Sequence, residues 1–246
     1  MKYQKHLNQQ ELRDELKIFI FAGHETTSVW CYWCCFALSK YPDVQQKLYD
    51  DIITICPERQ KEGGEGNHDD DPITVEMINK IPYLDAFMKE VLRMYPPVGL
   101  IFREVAKNEI FEDTSTNCDV TIPKGTLIGI PIHLLHRHPK YWDQPDTFLP
   151  ERWLKRSTSN DDSSNMKTGK TEFPARHQCA FLPFSTGPRN CIGYQFATME
   201  AKLILAPIVR AFVLELAPSL KNVEFQFTSL PTLKAKPDFK MCLRGR

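Results

Sequence analysis

A mainly α fold with a minor β-sheet is what this 246-residue sequence predicts. Two observations carry that expectation. Long apolar stretches at 16–38, 84–95 and 192–216 read as helices, the first with an unbroken stripe at 3.6-residue spacing. The β-rich runs are short by contrast, confined to 102–132 and 223–243 and interrupted by turn residues. The length suffices for one large domain with a real core.

The stripe of the first helix is Leu16, Phe19, Ile20, Gly23, Thr27, Trp30 and Cys34, and the pattern continues to about Leu38. Glu25 interrupts its middle, where a carboxylate costs a membrane span about 3 kcal/mol, so the reading is a buried helix of a soluble fold. Such a helix belongs in a protein's interior, yet this one starts close to residue 1. The expectation is therefore of a chain whose preceding part is absent. A second helix runs from Asp43 to about Ile55 behind Tyr41-Pro42, with proline at a favoured first-turn position. Residues 57–72 are acidic, glycine-bearing and non-periodic, and read as a surface loop. Thr74 caps a short helix to Asn79, and Leu84–Tyr95 forms a firmer one stopped by Pro96-Pro97.

Strands follow at Phe102–Phe111, Val120–Ile122 and Thr126–Ile132, the last two joined by a Pro123-Lys124-Gly125 turn. Prolines and aromatics between His138 and Trp153 suggest packed irregular structure, and the polar stretch 155–178 a second surface loop. Ile192 to about Leu216 is helical, bent at Pro207. The tail, Val223–Leu243, alternates as strands do, with a turn near Lys236-Pro237-Asp238. No internal repeat is apparent.

Thirty-one basic residues balance thirty-one acidic ones, so no bulk field recruits nucleic acid. The eight cysteines (Cys31, Cys34, Cys35, Cys56, Cys118, Cys179, Cys191 and Cys242) lack the spacing of a disulfide scaffold and read as reduced thiols. Cys31-x-x-Cys34 has the form of half a metal site, but no second pair follows; buried thiols acting as small hydrophobes are the other reading. Residues 1–13 are polar and lack the apolar core of a secretory signal.

The most informative segment is Phe184–Gly193, FSTGPRNCIG, which fits F-x-x-G-x-R-x-C-x-G. Its five specified positions arise by chance in on the order of one chain in ten thousand. A cysteine at a helix N-terminus is deprotonated easily by the dipole and free amides, as an iron-ligating thiolate must be. Gly187 and Gly193 permit a tight loop and close approach to a flat macrocycle. Phe184 can shield the sulfur, and Arg189 can pair with an acidic group. A buried cysteine beside a glycine turn explains Cys191 alone, but not the surrounding set.

This segment resembles the haem-binding loop of the cytochromes P-450, which implies that Cys191 is the axial thiolate of a haem b (iron protoporphyrin IX). Cysteine ligation pushes electron density toward bound oxygen. Three further matches occur in the family's order. Ala22-Gly23-His24-Glu25-Thr26-Thr27 matches [A/G]-G-x-[D/E]-T-[T/S]: small Ala22 and Gly23 would let the helix approach the haem, while Glu25 and Thr26 would relay protons. The competing reading is a polar kink with Thr26 bonded back to a carbonyl. Glu90 and Arg93 form E-x-x-R on one helix face, a weak signal alone. The resemblance joins them to Arg152 of Pro150-Glu151-Arg152-Trp153 as a buried network behind the haem; Pro57-Glu58-Arg59 is discounted because it precedes the Leu84 helix. Arg103 falls where relatives place a propionate partner, with a surface strand arginine as the alternative. His136-Arg137 resembles a stretch in which the histidine is structural.

The resemblance covers essentially the whole chain as the C-terminal portion of a single P-450 domain, the N-terminal part being absent. It implies insertion of one oxygen atom of O2 into a small apolar organic substrate. Electrons would come from an NADPH-dependent reductase or a ferredoxin, and no nucleic acid is involved. Localisation is open from this chain; full-length relatives are implied to be anchored to the endoplasmic reticulum by an N-terminal segment. Two other functions stay open: a haem-thiolate isomerase or dehydratase, and a truncated, non-catalytic haem-binding or interaction protein.

Overall fold

A computed structural model describes residues 7–57, 72–113, 118–154, 177–220, 223, 225–229 and 232–246. Its helices are α1 (Gln9–Lys40), α2 (Pro42–Ile55), α3 (Val75–Ile78), α4 (Pro82–Met94), α5 (Ile132–Leu135) and α6 (Tyr194–Ala211). Its strands are β1 (Leu100–Glu104), β2 (Glu109–Asp113), β3 (Cys118–Ile122), β4 (Leu127–Pro131), β5 (Phe212–Leu216), β6 (Gln226–Ser229), β7 (Leu233–Lys236) and β8 (Met241–Gly245). The chain is thus mainly α with minor β structure. The predicted loops at 57–72 and 155–178 lie almost wholly outside the described residues, as does most of Pro57-Glu58-Arg59.

Helix α1 starts at Gln9, ahead of the apolar stripe, because Asn8 and Glu11 form a capping box. The Asn8 side chain accepts from the amides of Gln10 and Glu11, and Glu11 accepts from the Asn8 amide, each at 2.9 Å. The helix was expected to be buried along its length; only its second half is. Thr27, Val29, Trp30, Trp33, Cys34, Phe36, Ala37 and Leu38 enter the core, whereas Leu12, Leu16, Ile18, Phe19, Ile20 and Phe21 stay exposed. The first half projects past α2, α4 and α6, and nothing among the described residues covers it. Among those residues no helix is long and apolar enough to cross a membrane.

The core is built where α1, α2, α4 and α6 meet. Trp33 lies at its centre, stacked on Tyr95 at 4.7 Å between ring centroids and donating its indole N–H to the Leu233 carbonyl at 3.0 Å. Lys202 of α6 reaches Asp85 of α4 at 2.6 Å. The cysteines of α1 belong to this packing: burial pushes the Cys31 thiol up to about 11 and that of Cys35 to about 12, and raises Cys34 well above its ordinary value. Among the described residues no cluster suited to a metal ion surrounds them, and the structure brings the Cys31-x-x-Cys34 spacing no further ligands.

The β structure departs from the sequence reading in three ways. The run 102–111 is two strands, because Val105 turns inward, buried, and its amide and carbonyl bond to the Thr126 carbonyl and the Gly125 amide. Strands β3 and β4 flank the Pro123-Lys124-Gly125 turn without pairing, since β3 joins β2 and β4 joins β1 in separate antiparallel ladders. Residues 212–216, expected as the end of a bent helix, form β5 and pair with β8, while β6 pairs with β7. Pro207 sits inside α6, which runs on to Ala211.

Candidate active site around Cys191

The segment before α6 folds as a succession of tight turns. The Ser185 amide bonds the Leu182 carbonyl at 3.1 Å, the Asn190 amide that of Gly187 at 3.1 Å, and the Cys191 amide that of Phe184 at 2.9 Å. Two residues adopt left-handed backbone, Ser185 (φ 62°) and Gly187 (φ 75°), a conformation that glycine takes without the steric cost of a Cβ. Gly193 is different. As N-cap of α6 it has φ −86°, which any residue adopts, and a Cβ there would stand 3.9 Å from Cys191 Sγ. Its value is the space beside the sulfur. Ile192, expected in the helix, precedes it and is 86% exposed.

Cys191 is exposed on one wall of a cavity of about 680 Å³, within the range of cofactor-sized pockets (roughly 300–1,000 Å³). Helix α1 also lines it, through Ala22, Gly23 and Thr26, and a Cβ at 23 would meet nothing within 4 Å. Phe184, Arg189 and Gly193 complete the predicted set lining it. Phe184 packs edge-on against Trp30 (5.9 Å between centroids) and Tyr194 (4.9 Å). The remaining lining is almost wholly apolar, including Leu92, Ile101, Ile132 and Phe196. These residues fit a haem. A slot between an apolar helix with small residues and a loop bearing a thiol suits a flat macrocycle, and Arg189 offers its edge a cation.

Two predicted residues stand elsewhere, and a third lines the cavity with its hydroxyl already engaged. Glu25 is off the cavity wall; its Oε1 accepts from the Thr232 hydroxyl at 2.9 Å and lies 3.6 Å from Lys234 Nζ. Arg103 is also outside the lining, donating to the Ser185 hydroxyl at 3.1 Å and the Phe102 carbonyl at 2.8 Å. Thr26, though on the wall, donates its hydroxyl back to the Ala22 carbonyl at 2.7 Å, the geometry of the competing reading. Thr27 Oγ1 and Trp30 Nε1 are buried with no hydrogen-bond partner among the described residues.

Behind the loop lies the carboxylate–guanidinium network. Glu90 and Arg93 have no exposed side-chain surface and pair through two bonds of 2.8 and 3.0 Å. The other Arg93 donors reach the carbonyls of His136, Pro145 and Thr147, so all five guanidinium N–H groups are engaged. Arg152 Nε bonds Glu90 at 3.1 Å. The sequence reading missed two further donors to Glu90, the Leu149 amide (2.8 Å) and Trp153 Nε1 (2.9 Å); only the latter had a signal, as the aromatic after Arg152. It also left unread the bonds of His136, which is fully buried and whose pKa burial pushes down to about 3.

Comparison with known proteins bears on the chain as a whole. A sequence model of the family described as Cytochrome P450 matches residues 1–243. The chain is similar to Cytochrome P450 4d8 of Drosophila melanogaster, 33% identical over 98% of this chain and 45% of that protein. It is similar to mouse Cytochrome P450 4V2, 34% identical over 85% of this chain and 34% of that protein. To human Cytochrome P450 3A7 it is 36% identical, over 85% and 35% respectively. The chain thus spans between a third and a half of the length of these curated relatives. A family match over residues 1–243, with a relative 33% identical across 98% of the chain, establishes that the chain belongs to the cytochrome P450 family.

Proposed function

We propose that the protein serves haem-thiolate monooxygenation, placing one oxygen atom of O2 into a small apolar organic substrate. The observation that carries this is the cavity itself, whose mostly apolar lining includes Cys191 together with Ala22, Gly23 and Thr26. A haem held there supplies oxygen activation, with electrons from an NADPH-dependent reductase or a ferredoxin. Cys191 binds the iron as thiolate, and Phe184 keeps water from the sulfur. Arg189 pairs with a propionate; Arg103, tied to Ser185, braces the loop from the other side. Apolar walls at Ile101, Ile132 and Phe196 exclude water and favour an apolar substrate.

Glu25 and Thr26 hold the protons. Glu25 is 26% exposed and 3.6 Å from Lys234 Nζ, which gives its carboxylate a path to solvent; Thr26 lies on the cavity wall. Transfer between them requires Glu25 to leave Thr232 and Thr26 to release the Ala22 carbonyl. That requirement favours a second reading, a haem-thiolate isomerase or dehydratase, which needs no relay. Turnover of an organic hydroperoxide without an electron donor distinguishes it.

The reading is tested by the reduced, carbon-monoxide difference spectrum of the chain purified with haem, beside Cys191→Ala. A thiolate-type Soret band in the wild type that disappears in the variant is the expected result. A thiolate-type band that persists in Cys191→Ala would rule out Cys191 as the ligand.

A further inference from the structure

We propose that His136 is a positioning residue for Cys191: its imidazole clamps the cysteine loop to the C-terminal end of α4 and so fixes where the sulfur stands. Its consequence for haem binding rests on the function proposed above; its geometry does not. The Leu182 amide donates to His136 Nε2 at 2.8 Å. Nε2 is therefore the acceptor, and the proton is on Nδ1, which donates to the Leu92 carbonyl at 3.3 Å. Leu92 and Leu182 both line the cavity, one from α4 and one from the loop, and the ring spans them.

The ring has no freedom to leave. It is fully buried, lies 5.0 Å from the Phe181 ring, and its backbone is tied by a carbonyl accepting from Arg93 and an amide bonded to Ile132. From Leu182 the constraint passes along the turns: the Leu182 carbonyl accepts from Ser185, and the Phe184 carbonyl from Cys191. His136 thereby joins the Glu90–Arg93 network, through its backbone, to the thiol loop, through its side chain. A space-filling residue would use neither ring nitrogen; this one uses both.

The two nitrogens can be separated by substitution. Glutamine carries its amide at the position of Nε2 and can keep the Leu182 acceptor; asparagine reaches only the position of Nδ1 and can keep the Leu92 donor. Amide hydrogen exchange of the 246-residue chain, without haem, is followed at Leu182 and Cys191. In H136N both amides should exchange about tenfold faster than in wild type, with α4 unchanged, while H136Q stays near wild type. Equal exchange in the two variants overturns the proposal, as does loss of protection at Leu182 that does not reach Cys191. Should H136N fold too weakly for its exchange to be followed, urea midpoints decide: a loss in H136N alone supports the clamp, and an equal loss in H136Q overturns it. With haem bound, the thiolate share of the carbon-monoxide spectrum should follow the same order. A wild-type chain with no thiolate form but the expected exchange order would overturn the haem reading and support the clamp.

Discussion

Glu90, Arg93 and His136 are all without exposed surface, and the first two carry charge where desolvation is most costly. The pair survives because every guanidinium donor has an acceptor and Glu90 accepts from five donors, of which Arg93 supplies two. His136 meets the same condition by remaining neutral. Burial depresses its pKa from about 6.5 to about 3, and the Arg93 guanidinium adds to the shift. Between those values the unfolded chain binds a proton that the folded chain does not. Stability from this residue is therefore complete above about pH 6.5 and falls, as pH drops toward 3, by about 1.4 kcal/mol per unit. Urea unfolding of wild type and His136→Gln between neutral pH and pH 4 should show the steeper decline in wild type; parallel curves would contradict it. The charged members of the network were legible through the family resemblance, which joins Glu90 and Arg93 of E-x-x-R to Arg152 of Pro-Glu-Arg-Trp; the spacing alone says only that the first two share a face. The carbonyls of His136, Pro145 and Thr147 were not, because a backbone acceptor has no signature of its own.

At the scale of elements, local pattern sufficed wherever an element's neighbours in sequence decide its state. Helices α2, α3 and α4 fall within a few residues of their expected bounds, with Thr74 capping α3 and prolines opening α2 and α4. It failed at 212–216, because a short apolar run is compatible with helix or strand and the deciding partner, β8, is distant in the chain. A second partner is Gln45 of α2. Its amide donates to the carbonyls of Leu38 and Leu214, both at 3.0 Å, and accepts from the Leu214 amide at 2.8 Å. One side chain thus serves the edge of β5 that β8 leaves unpaired. Gln45→Leu keeps the volume but strips partners from two buried backbone groups of Leu214, and should cost about 1–3 kcal/mol. Chemical denaturation reads that loss directly; a variant as stable as wild type would show that water replaces the amide.

Across the whole molecule, apolar surface is distributed unequally. Ile18, Phe19, Ile20 and Phe21 are each more than half exposed, and Ile192 and Phe196 add to them around the cavity. Periodicity identified this half of α1 as apolar, but it cannot say which residues have something to pack against; that depends on what else surrounds the helix. A helical turn left apolar and uncovered on every side drives association in water. The chain should accordingly sediment as concentration-dependent oligomers. Phe19 and Ile20 line the cavity, whereas Ile18 and Phe21 do not and lie one turn apart on the helix. The double substitution Ile18→Glu, Phe21→Glu therefore breaks the face without entering the candidate site. It should shift sedimentation toward monomer while changing unfolding by no more than about 0.5 kcal/mol per site, as expected of exposed positions. If the oligomers persist unchanged, the contact lies elsewhere, and the apolar rim at Ile192 and Phe196 becomes the surface to substitute next.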